Sequence, residues 1–144
     1  ERAREDTATG RERAARARAA IPTAEAKERA WAAAVEGSAL TNAVVDAVAL
    51  GFTRPGTPAE VLRPFVERYH AALAGLEEKG SHALVESVVH GFYPRPLADQ
   101  GLHDATQAWL DSHTGAPAAL RRMVAENRDG VARALTAQER DARG

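Results

Sequence analysis

Asn42 to Phe52 reads NAVVDAVALGF, and His82 to Phe92 reads HALVESVVHGF. Shifted by 40 positions, Ala43/Ala83, Val45/Val85, Val48/Val88, Gly51/Gly91 and Phe52/Phe92 are identical. Asp46/Glu86 keeps the acid and Val44/Leu84 keeps the bulk. The apolar positions 44, 45, 48, 49 and 52 mark one face of an amphipathic helix. Trp31, Tyr69 and Trp109 follow the same beat, 38 and 40 residues apart.

A period near 40 with two helices per unit is the signature of HEAT- and armadillo-type repeats. The expected fold is therefore all-α: a right-handed solenoid of antiparallel helix pairs, about seven helices in a single domain over residues 1–144. Breakers and caps divide the chain accordingly. An Ala- and Arg-rich helix runs over 2–20, weakened at Gly10 and ended by Ile21-Pro22. Thr23, Thr41 and Ser81 are the expected N-caps of the next helices. Thr57-Pro58-Ala59-Glu60 reads as a capping box with proline at the first helical position, and Pro64 predicts a kink one turn later. Pro94 and Pro96 close the 82–92 helix. A helix over 99–112 is built on Leu102, Ala105, Trp109 and Leu110, and the last runs from Pro117 to about Ala137, with 138–144 as a frayed tail. Gly51 and Gly91, at helix ends, read as left-handed caps.

Composition narrows the function classes. A net charge of −1 and a pI near 6.6 give no general pull toward nucleic acid or an anionic membrane. Cysteine is absent, which excludes disulfides and thiolate zinc sites, and a cytoplasmic protein suits this. No apolar run reaches the ~20 residues of a membrane-spanning helix, and the charged start lacks the apolar core of a signal peptide. The chain starts at Glu1 within helical sequence, so it reads as part of something longer. Arginine dominates the cations, and lysine occurs only at Lys27 and Lys79.

No catalytic, cofactor or metal residue is assigned. His70, His82, His90, His103 and His113 include no pair four apart, so the His-Glu-x-x-His zinc motif is missing. His82, Glu86 and His90 share one helix face and form a conceivable ligand set. That face lies opposite Leu84, Val85, Val88 and Val89, so the solvated-side reading is preferred. Ser81-His82 and Asp111-Ser112-His113 hold triad-type residues, but adjacency supplies neither a positioned base nor oxyanion donors. Ser81 reads instead as a cap and 111–113 as a helix end. Arg2, Arg4, Arg11, Arg13, Arg16 and Arg18 interleave with Glu1, Glu5, Asp6 and Glu12 and read as a solvated face. The Trp31, Tyr69 and Trp109 series reads as core layers rather than as a binding box.

Asp6-Thr7-Ala8-Thr9-Gly10, then Ala19-Ala20-Ile21-Pro22-Thr23-Ala24-Glu25-Ala26-Lys27 and Trp31, resemble the C-terminal helical domain of actinobacterial-type aminopeptidase N. Gly51-Phe52, Pro64-Phe65-Val66-Glu67-Arg68-Tyr69 and Ala118-Ala119-Leu120-Arg121-Arg122 continue the resemblance in order along nearly the whole chain. It is the domain type shared with endoplasmic-reticulum aminopeptidases. The resemblance implies a parent zinc metallopeptidase of the gluzincin group, of the membrane alanyl aminopeptidase type, that removes N-terminal amino acids from peptides. It implies zinc in the parent and none in this chain, whose partners are the parent's own N-terminal catalytic domain and peptide substrates. This chain would cover the active-site chamber, limit access, and be inactive alone. Where relatives often carry a tryptophan, this chain has Leu76-Glu77-Glu78-Lys79-Gly80. The competing expectations are an independent helical-repeat scaffold that binds a protein or peptide, and a small metal protein using His82, Glu86 and His90.

Overall fold

The computed structural model describes residues 2–144, with side chains from Thr7 onward. The described residues form helices and no strand: α1 (Arg2–Ala20), α2 (Ala24–Trp31), α3 (Asn42–Phe52), α4 (Ala59–Leu62), α5 (Phe65–Ala72), α6 (Leu76–Lys79), α7 (His82–Gly91), α8 (Gln100–Ser112) and α9 (Ala118–Arg143). α2 runs on through a π-turn at Ala32–Glu36, and short 3-10 turns occupy Leu73–Gly75 and Arg95–Leu97. α4, α5 and α6 follow one another as a broken rod, interrupted at Pro64 and at the 73–75 turn, so the described residues form seven rods. Proline lacks the N–H that an unbroken helix needs at that point.

Four helices start on a side chain that accepts from the backbone N–H three residues on. Thr23 takes Ala26 N at 3.2 Å, Thr41 takes Val44 N at 3.3 Å, Ser81 takes Leu84 N at 3.2 Å and Asp99 takes Leu102 N at 2.9 Å. The expected cap at Thr57 does not form. Its hydroxyl turns back to Arg54 O and closes the turn around Gly56, while extended Pro58 (ψ 136°) stands before α4. At the other end the helix continues to Arg143, past the expected tail.

The rods pack in two rows. α1 packs on α3, α3 on α7 and α7 on α9, while α2 packs on α4 and α5 on α8. Trp31 of α2, Phe52 of α3, Phe65 of α5 and Phe92 at the end of α7 meet between the rows as one cluster of rings. Phe52 and Phe92, equivalent in the repeat, touch each other with ring centroids 5.2 Å apart. Trp31, Tyr69 and Trp109 are all buried in the second row, as their spacing predicts. In α8 it is Thr106 rather than Ala105 that is fully buried.

Gly51 and Gly91 are not left-handed caps. Gly56 is the glycine with positive φ among the described residues, and both repeat glycines lie within helices. Their role is close approach. A Cβ on Gly51 would lie 2.2 Å from Arg16 O and 2.9 Å from Ala19 Cβ of α1. A Cβ on Gly91 would lie 2.7 Å from Ala49 Cβ of α3. The same residue at the same repeat position thus lets α3 sit against α1 and α7 against α3.

Both lysines close helix ends. Lys27, fully buried, donates to Ala19 O at the end of α1 (2.6 Å) and to Gly51 O at the end of α3 (3.2 Å). Lys79 donates to Val35 O (2.8 Å) and Glu36 O (3.0 Å) at the end of the π-turn. A compact ammonium on a thin stem reaches the carbonyls at a helix end, where its charge suits the negative pole of the helix. Burial, and then the nearby Arg54, pull the Lys27 pKa from 10.5 down to about 8, against the two carbonyls that favour its charge. Between about pH 8 and 10.5 the unfolded chain therefore holds the extra proton, so stability rises with pH through that window. The rise is at most about 3 kcal/mol. The urea midpoint should climb from pH 7.5 to 9.5 in the wild type and stay flat, after subtraction of other groups, in Lys27→Met. A climb of equal size in both proteins would remove Lys27 as its source.

Candidate functional site

A polar seam runs through the second half of the core. Tyr69 Oη donates to Val89 O at 2.6 Å, and Asn127 Nδ2 donates to that carbonyl (2.9 Å) and to Tyr69 Oη (3.2 Å). Tyr93 Oη lies 2.8 Å from Thr106 Oγ1, which donates to Leu102 O at 2.9 Å and lies 3.0 Å from His70 Nε2. His70 Nδ1 lies 2.8 Å from Val66 O. Burial lowers the His70 pKa and raises those of both tyrosines, so each is held neutral. With its polar groups turned on one another and on helix carbonyls, the seam fixes α5, α7, α8 and α9 rather than presenting a reacting atom. One exception is the indole N–H of Trp109, which is buried with no acceptor while its ring stacks on His113 at 4.6 Å.

The sequence candidates meet in pairs but assemble no complete site. His82 Nε2 and Glu86 Oε1 form an exposed pair at 2.9 Å, and His90 does not join them. Among the described residues no group of three His, Asp or Glu could hold a metal ion. Ser81 is a helix cap. Ser112 Oγ lies 2.9 Å from His113 Nδ1 but donates its proton to Ala108 O, and Asp111 accepts from Gln107 and does not join them. Arg11, Arg13, Arg16 and Arg18 are exposed on α1, and the remainder of that basic stretch lies outside the residues whose side chains are described. None of the described helices is long and apolar enough to cross a membrane.

Two grooves stand out on the surface. One, of about 460 Å³ between α1, α2 and α3, is apolar and includes Ala15, Ala30, Leu40, Val44 and the exposed Ile21. The other, of about 510 Å³, lies between the end of α7, the 95–98 turn and α9, and holds His90, Arg95, Asn127, Gly130 and Arg133. Its residues lie up to 44 positions apart (90 to 134), so only tertiary packing brings them together. The single local sign was an arginine clamped between Pro94 and Pro96.

The family described as the ERAP1-like C-terminal domain matches residues 1–133. This chain belongs to that family. Aminopeptidase N of Streptomyces lividans is 44% identical to it over 139 residues, which are 96% of this chain and 16% of that protein. The chain thus spans less than a fifth of the relative's length and is similar to one part of an aminopeptidase. In this ERAP1-like domain the residues that carried the resemblance have structural roles. Lys27 and Trp31 join the first three helices, Gly51 sits against α1, Phe52 joins the ring cluster, and Pro64 breaks the middle rod. Arg121 donates to Leu110 O and His113 O, both at 2.7 Å, and so closes the end of α8. Leu76 is buried in the core.

Proposed function

We propose that this chain is the non-catalytic C-terminal domain of a larger zinc-dependent, cytoplasmic aminopeptidase N, which removes N-terminal amino acids from peptides. In this reading residues 1–144 are a single domain that covers the active-site chamber and limits which peptides enter. The observation that carries the reading is the identity with an aminopeptidase N along 96% of the chain. Two rows of helices that contact chiefly their neighbours support it, because such stacks curve into right-handed solenoids of the HEAT type and supply concave covers. The catalytic domain of the same polypeptide and the peptide substrate are its partners. Zinc belongs to that catalytic domain, where metal-activated water attacks the first peptide bond. The described side chains here do not converge on a metal, so no catalytic step is placed on them.

The test compares amino-acid-amide hydrolysis and zinc content in this chain and in the full-length gene product. We expect activity and stoichiometric zinc in the long protein and neither in the chain alone. Activity or tight zinc in the chain itself would overturn the reading and return attention to His82, Glu86 and His90. Activity in neither would favour the scaffold.

A further inference from the structure

We propose that the groove between α7 and α9 is a binding site for an oxyanion, a carboxylate or a phosphate, independent of the cover role.

Three donor-bearing side chains converge there. Arg95 is held in place because its Nη2 donates to His90 O at 2.6 Å and reaches Asn127 Oδ1 at 3.4 Å. Asn127 is itself buried and anchored by its Nδ2 to Val89 O and Tyr69 Oη. The guanidinium is thus fixed by one nitrogen, and its other N–H groups have no partner among the described residues. Arg133 and the His90 ring have no hydrogen-bond or ion-pair partner among the described residues. The acidic group in the lining is Glu126, whose nearest cation is Arg122 at 3.9 Å. Fixed guanidinium groups suit carboxylate and phosphate because their N–H fork matches paired oxygens.

Two further features mark the same place. Gly130 lies in the interior of α9, where glycine costs about 1 kcal/mol relative to alanine. Unlike Gly51 and Gly91, it answers no packing need: a Cβ there would meet only Arg133 Nη2, at 3.7 Å. The missing side chain leaves room beside an unpaired guanidinium. Ala98, also in the lining, has φ 34° and ψ 50°, a left-handed conformation that a non-glycine residue adopts at a cost. Its carbonyl accepts from Gln138 Nε2 at 3.3 Å, which ties the turn to α9 across the groove. The lining along α9 is Glu126, Asn127, Gly130, Val131, Arg133 and Ala134, so small apolar residues lie between the charged groups.

The experiment titrates the protein with inorganic phosphate and, separately, with succinate, at an ionic strength held constant with sodium chloride. Arginine Nε–H and backbone amide signals of residues 127–134 are followed by NMR. Saturable shifts confined to the groove are expected. Arg133→Gln should weaken binding about tenfold or more, the loss of one charge-assisted contact. Gly130→Asp should abolish saturation, because it places a carboxylate beside Arg133; aspartate is no worse in a helix than glycine, so the circular dichroism should be unchanged. Saturation by phosphate alone would assign a phosphoryl ligand, by succinate alone a carboxylate, and by both the general oxyanion class. No saturable shift with either anion, or the same affinity in wild type and both variants, would overturn the proposal.

Discussion

Phe92→Ala is expected to destabilise the protein by about 3–5 kcal/mol. Phe92 is completely buried, and its ring lies 5.2 Å from that of Phe52 and 6.1 Å from that of Trp31. Trp31 and Phe52 also reach Phe65, at 5.4 Å and 5.1 Å, so one side chain supports contacts among four rods. Removing it leaves a hole that backbone cannot refill, and it also removes edge contacts worth about 0.5–1.5 kcal/mol per ring pair beyond area alone. Leu50→Ala provides the contrast, since Leu50 is 55% exposed and should change stability by less than about 0.5 kcal/mol. Guanidinium chloride denaturation, followed by circular dichroism, measures both. Equal midpoints for Phe92→Ala and wild type would show that the repeats are not joined at this ring.

Gly51→Ala should cost about 3 kcal/mol, the upper end for overpacking, although alanine is the better helix former. The added methyl would sit 2.2 Å from a carbonyl oxygen and 2.9 Å from Ala20 N, both backbone of α1, so no change of rotamer relieves it. α1 has to move away, and with it the Ala19 carbonyl that Lys27 holds. Gly10→Ala tests the argument from the other side. A Cβ at Gly10 has nothing within 4 Å, so that substitution should stabilise by about 0.5–1 kcal/mol. Two glycine-to-alanine changes that shifted the thermal midpoint in the same direction would contradict the close-approach account.

Local chemistry made much of this fold readable. Thr23, Thr41 and Ser81 precede apolar periodic runs and act as caps. The 42–52 and 82–92 segments bury the face their spacing marks, and Pro64 breaks its helix. What escaped reading depends on partners far away in sequence. Thr57 had two competing acceptable conformations, and the tight turn at Gly56 took its hydroxyl. Lys27 reads as a surface cation until α1 and α3 bring their terminal carbonyls to it, 8 and 24 residues away. Asn127 meets Tyr69 across 58 residues, and Arg95 meets Asn127 across 32, so neither the seam nor the arginine groove leaves a periodic trace. Gly51 and Gly91 were visible as a repeated residue, yet their meaning lay in the neighbouring helix rather than in their own backbone.

The two lysines carry a consequence for covalent chemistry. In most proteins lysine is the expendable surface amine on which acylation leaves the fold alone. Here each ammonium closes the end of a helix, so an acyl group at either position removes a charge and donors that carbonyls require. At exposed Lys79 the reaction proceeds on the folded protein and frees the end of the π-turn. At Lys27 no reagent enters until α1, α2 and α3 part, and the lesion then keeps them apart. Acetylation of this chain is therefore an injury to its architecture, and the rate at Lys27 is a clock for the opening of its first three helices.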